Sequence, residues 1–101
     1  MSNVMDTAEK EIIRREILEL CKETAPYGAG PKVLKAALRK SEYEISDREL
    51  LTHIEYLKGK GLVGTKEVTN RRLGLNRLIV YITPEGTDYL DGNGPDIVGV
   101  G

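Results

Sequence analysis

Ser46-Asp-Arg-Glu-Leu-Leu-Thr-His-Ile-Glu-Tyr-Leu-Lys58, followed by Gly59-Lys60-Gly61, decides how the rest of the chain is read. A serine with a glutamate three residues later is a capping box. The Ser46 hydroxyl can accept from the Glu49 N–H, and the Glu49 carboxylate can accept from the Ser46 N–H. Leu50, Ile54 and Leu57 then recur at spacings of four and three, one apolar face of a helix running from about 46 to 58. Gly59-Lys60-Gly61 ends it, because glycine readily takes the left-handed conformation that closes a helix. At about 100° per residue, Arg48, Thr52 and Glu55 fall opposite that apolar face and Tyr56 falls beside it.

On the C-terminal side, Leu62–Thr69 reads as a strand and Arg77–Thr83 as another, with Leu78, Val80 and Ile82 alternating against Arg77, Ile79 and Tyr81. Asn70–Asn76 joins them as a hairpin tip, with Gly74 and two asparagines supplying turn chemistry. Thr83-Pro84-Glu85 starts a short helix ending near Asp91. On the N-terminal side, a first helix is expected from Asp6 or Thr7 to Glu23, its stripe built from Ile12, Ile13, Ile17, Leu18, Leu20 and Cys21. It should stop before Ala25-Pro26, since the residue before a proline avoids the α conformation. Tyr27–Gly30 is a turn or a very short strand. A second helix begins at Pro31, where the missing N–H costs nothing, and runs to about Arg39 with Val33, Leu34, Ala37 and Leu38 inward.

Helix, turn, helix, capped helix, two-stranded ribbon and short helix follow one another in the order of a winged helix-turn-helix domain. The fold class expected is therefore α+β, mostly helical: a three-helix core, a two-stranded wing and a short C-terminal helix. Locally, Ser46–Leu57 with Lys60-Gly-Leu-Val63 resembles that family's recognition helix running into its wing. Ile82-Thr-Pro-Glu-Gly86 resembles the sequence with which many bacterial winged-helix regulators leave the wing. The layout is also similar to that of short winged-helix proteins of Mu-like phages and prophages. Residues 1–5 are expected to be a flexible N-terminus, 6–91 the domain, and 92–101 a mobile glycine-rich tail.

Length and composition agree with this. A chain of 101 residues suits one modest core, and with no Trp or Phe that core must be Ile, Leu, Val and Ala with Tyr at its edges. No apolar run approaches the ~18 residues of a membrane span, the polar N-terminus does not read as a secretory signal, and a cytoplasmic location is expected. The net charge of −1 hides an uneven distribution. Residues 62–83 hold four bases against one acid and 26–45 hold four against two, whereas 84–101 hold four acids and no base.

The resemblance implies duplex DNA as partner, read by the helix at about 46–58 and held by the wing at 70–77. Arg48 suits guanine or phosphate and Thr52 a phosphate or thymine methyl, with Tyr56 alongside. Arg71, Arg72 and Arg77 suit phosphates or a minor groove. Lys32 and Lys35 lie near a helix N-terminus where phosphate is favoured. Such proteins commonly pair on half-sites, and the wide stripe of the first helix is the expected homodimer surface. An adaptor that uses the same fold for protein contact is the alternative, favoured by the overall charge, by Glu55 and by Leu73 and Leu75 in the wing. With one His and one Cys, no catalytic set, metal cluster or cofactor site can be assembled, and catalysis is not expected. His53 reads as a half-buried structural histidine and Cys21 as a small core residue.

Overall fold

The computed structural model describes residues 4–94 and 96–101. Residues 1–3 of the segment read as a flexible N-terminus lie outside the described residues, as does Pro95. The order of elements is α1 (Val4–Glu23), α2 (Pro31–Lys40), α3 (Asp47–Gly59), β1 (Val63–Asn70), β2 (Leu75–Ile82) and α4 (Pro84–Leu90). The first helix thus begins two or three residues before the expected start at Asp6 or Thr7, since nothing in Val4-Met5-Asp6 breaks a helix. None of the helices among the described residues is long and apolar enough to cross a membrane.

One core sits where the three long helices meet the root of the wing. It is made of Ile13, Ile17, Leu18 and Cys21 from α1, Leu34 and Leu38 from α2, and Leu50, Ile54 and Leu57 from α3. Leu62, Val63 and Val80 join them from the ribbon. Each such aliphatic side chain contributes about 1.5–3 kcal/mol through its removal from water, which is how a core without Phe or Trp suffices. Cys21 lies inside as expected. Its thiol faces the Val80 carbonyl oxygen at 3.7 Å, and burial pushes its pKa up to about 12, so it stays a protonated, unreactive packing group.

Two expectations about the helices need correction. Val33, assigned to the inner face of α2, is 57% exposed. A ten-residue helix crossing two neighbours reaches the core with a narrow ridge, and Leu34 and Leu38 already fill it. On α1, Ile13 and Leu18 are buried and Leu20 is partly buried against the core, so the wide stripe fits inside one domain apart from Ile12. Between α2 and α3 the chain turns by a Schellman pair, with the Tyr43 N–H on the Leu38 carbonyl and the Glu42 N–H on that of Arg39.

β1 and β2 pair antiparallel from Val63↔Ile82 to Asn70↔Leu75. The ladder runs two residues further than expected, so the loop is only Arg71-Arg72-Leu73-Gly74. Gly74 at φ 63° closes it, and the Asn70 side chain accepts from the Leu73 N–H at 3.3 Å. The register sorts the side chains, because partners across an antiparallel pair share a face. Val63, Thr65, Glu67, Leu78, Val80 and Ile82 share the side that meets the core, and Lys66, Val68, Leu75, Arg77, Ile79 and Tyr81 the outer side. The turn after α1 adds a single bridge, Ala29↔Val80, and so provides the very short strand that 27–30 suggested.

The glycine-rich end, read as a mobile tail, returns to the helices. Val100 is buried and Ile97 half-buried, with the Val100 N–H reaching the Ile97 carbonyl at 3.3 Å. The Gly101 N–H donates to the Glu11 carbonyl at 3.1 Å, and the Tyr89 hydroxyl donates to the Val100 carbonyl at 2.8 Å. Two aliphatic residues three apart on one turn supply the contact, and glycine content hid them.

Candidate nucleic-acid interface

The capping box forms as read, with the Glu49 N–H 3.1 Å from Ser46 Oγ and the Ser46 N–H 3.3 Å from Glu49 Oε1. It fixes where α3 starts and therefore which residues face outward. Arg48, Thr52 and Glu55 are exposed as expected. A fourth exposed residue of that face escaped the sequence reading: Leu51, 45% exposed. It stands next to Leu50 in the sequence and was placed on neither face, but 50, 54 and 57 complete the inner ridge without it. Thr52 Oγ1 donates to the Arg48 carbonyl at 3.0 Å, so its one hydroxyl hydrogen is used within the helix.

Tyr56 is engaged elsewhere. The Arg14 guanidinium carbon lies 3.8 Å from its ring centroid, and its hydroxyl donates to the Val98 carbonyl at 2.8 Å. The side chain therefore joins α3 to α1 and to the returning segment 97–101. Lys35 is also occupied, 2.8 Å from Asp47. That hydrogen bond and charge lower the Asp47 pKa, with Lys32 adding to the effect. Lys32 itself is exposed and makes no ion pair among the described residues.

Arg71 and Arg72 are exposed at the loop, and Arg77 is exposed on β2, the strand in which it was expected, opposite Val68 on the outer face. Lys66 belongs with it on that face, one diagonal away, and was missed because an isolated lysine in a strand gives no spacing signal. Leu73 and Leu75 do not fold back onto the sheet; they are 68% and 42% exposed.

Arg14, one charge among many on α1, proves to be a structural hub. Its Nε donates to His53 Nδ1 at 3.2 Å and its Nη1 to the Gly99 carbonyl at 2.9 Å. His53 is 6% exposed, deeper than the half-burial expected. Burial first, and then the Arg14 charge, lower its pKa below the usual 6.5, with Lys10 adding to this and Glu49 opposing it. The neutral ring is thus the form that fits, since protonation would replace the Nδ1 acceptor with a donor facing a guanidinium. An imidazole whose pKa is depressed by folding makes stability level above about pH 6.5 and lost as the pH falls below it. Urea midpoints measured from pH 7.5 down to 5 (on the order of the histidine range) should therefore decline. His53→Gln, whose side-chain oxygen can accept from Arg14 without titrating, should flatten the decline. Parallel profiles for the two proteins would show that His53 is not its source.

No family model matches the sequence, and no curated protein is significantly similar to it. Solved structures do share its architecture. A PadR-like transcription factor from Bacteroides fragilis superposes with a TM-score of 0.73 at 18% identity, over 90% of this chain and 84% of that one. A protein from Thermoplasma acidophilum described as a candidate transcriptional regulator gives 0.69 at 14% identity, over 93% and 83%. A PadR family transcriptional regulator from Eggerthella lenta gives 0.59 at 18% identity, over 79% and 70%. Identities this low carry the architecture and nothing finer: the domain has the winged helix-turn-helix fold.

Proposed function

We propose that the domain binds duplex DNA as a regulator of transcription, with α3 in the major groove and the wing on the adjoining backbone or minor groove. The observation that carries this reading is the positive charge of the wing, where residues 63–82 hold four bases against one acid. Among the described residues, ion pairs engage Arg15, Lys22, Lys35 and Arg39. Arg48 on α3 and Lys66, Arg71, Arg72 and Arg77 on the wing are exposed and belong to none. A protein of net charge −1 that leaves its wing cationic, with Arg48 exposed on α3, is suited to a polyanion at that surface. Lys32 extends the set at its edge. The names of the structural neighbours agree with the reading. Pairing of two copies through α1 would have Ile12, 45% exposed, as its apolar anchor.

Titrating a fluorescent duplex of random sequence at several salt concentrations tests the proposal. Each phosphate contact contributes a slope near −0.9 to log affinity against log salt, so five contacts should give roughly −4 to −5. The second reading, an adaptor for another protein, draws support from the exposed Leu73 and Leu75 of the wing. Undetectable binding at low salt would favour it over DNA.

A further inference from the structure

Resting on that reading, we infer that the outer face of α3 selects a 5-methylpyrimidine, thymine in ordinary DNA, with a cytosine beside it. Arg48, Leu51, Thr52 and Glu55 follow at spacings of three, one and three, which places them on one stripe of the helix. All four are exposed. The middle of this stripe is apolar. Leu51 has no place in the core, because Leu50, Ile54 and Leu57 at no more than 1% exposure complete the inner ridge. Thr52 spends its hydroxyl hydrogen on the Arg48 carbonyl, so what it can still offer a partner is its methyl group and an oxygen lone pair. An isobutyl group next to a methyl is a poor match for phosphate and for most base edges. Of the four bases only thymine shows a methyl group in the major groove.

The two ends of the stripe constrain the neighbours. Glu55 forms no ion pair among the described residues, and facing DNA its carboxylate must find a donor or be repelled. The N4 amino group of cytosine is the major-groove donor that an acidic side chain takes. Arg48, nearest the helix start, suits O6 and N7 of guanine. A residue that counts against DNA when only its charge is considered thus becomes a reader once its neighbours are seen.

Duplexes retained by the full-length chain from a random pool should be sequenced and the best one remade with deoxyuridine in place of each thymine in turn. Removing the methyl at one position should weaken binding about fourfold, the worth of one buried methyl group. Leu51→Ala should bind thymine and uracil duplexes alike, while Glu55→Ala should relax the preference for the adjacent cytosine. Affinity unchanged by uracil at every position, or thymine preference surviving in Leu51→Ala, would overturn the inference and leave DNA binding standing. Retention of no duplex at all would remove the proposed function with it. The comparison of thymine with uracil uses the unaltered protein, so it does not depend on any variant folding.

Discussion

Changing Arg71 and Arg72 together to alanine is expected to weaken binding to every duplex by roughly sixtyfold near 0.1 M salt. The estimate follows from counterion release. Each phosphate contact contributes about 0.9 to the salt slope, which at roughly 0.1 M corresponds to about eightfold in affinity; two contacts multiply. The slope itself should flatten by about 1.8. The fold should not change, because both side chains are exposed and the loop is closed by Asn70 and Gly74. The pair Arg71→Lys and Arg72→Lys separates two modes of contact. Lysine preserves a phosphate contact as a point charge, whereas a narrow minor groove favours the flat guanidinium. If the lysine variant keeps the slope and the affinity, the wing grips backbone; if it keeps the slope and loses affinity, the wing enters a groove. An alanine variant with both quantities unchanged would take the wing out of the interface.

How much of this was legible in the sequence depends on the range of the interaction. Caps and turns are local, so the Ser46–Glu49 box, the Pro31 and Pro84 helix starts and the Gly74 turn were read correctly from neighbouring residues alone. The inner ridges of α1 and α3 followed from periodicity because those helices are long enough to average it. On α2 the same reasoning placed Val33 inside, since ten residues offer a broad apolar arc and only the packing of α1 and α3 decides how much of it is used. Leu51 was placed on neither face for a related reason: beside Leu50, an exposed leucine is told from a core one only once the core is seen to be full. The Arg14 hub and the return of 97–101 were invisible, because the contacts from Arg14 to His53 and Gly99 and from Tyr56 to Val98 join residues 39 or more positions apart and leave no pattern of spacing. The second strand was started at Arg77 rather than Leu75 because two further ladder pairs, Thr69↔Asn76 and Asn70↔Leu75, lie within a stretch rich in turn residues. At the proposed interface, residue types were readable and their tertiary contacts were not: Tyr56 packs with Arg14 and bonds to Val98, and Lys35 pairs with Asp47.

The bridge between Ala29 and Val80 gives the other large expected effect, and it links the wing to the helices. Gly28 has φ 89°, and a Cβ there would meet the Val80 carbonyl oxygen at 2.3 Å and Ile79 Cγ2 at 2.9 Å. Both obstacles are part of β2, one of them backbone, so an added methyl cannot be absorbed by a side-chain rotation. Gly28→Ala must either hold an L-residue in the left-handed region, at about 1–2 kcal/mol, or push the turn off the strand. The second route breaks the Ala29 N–H to Val80 oxygen bond and its reciprocal, both 2.9 Å, at about 1 kcal/mol each. A loss of roughly 2 kcal/mol is expected by either route, and at about 4–8 °C per kcal/mol for a domain of this size the melting temperature should fall by about 8–16 °C. Gly30→Ala is the control. Gly30 has an ordinary φ of −79°, and the nearest atom to its Cβ would be the Leu78 carbonyl oxygen at 3.5 Å, so that variant should melt close to wild type. Val80 is the fully buried residue of β2, and the bridge holds the root of the ribbon to the chain between α1 and α2. Loosening it should therefore lower DNA affinity at temperatures where Gly28→Ala is still folded, while the salt slope, set by the number of arginines and lysines engaged, falls along with it. If Gly28→Ala melts within about 2 °C of wild type (roughly 0.5 kcal/mol or less), the wing is not anchored through this bridge, and its orientation must be set by the hydrophobic contacts of Val63, Val80 and Ile82 alone.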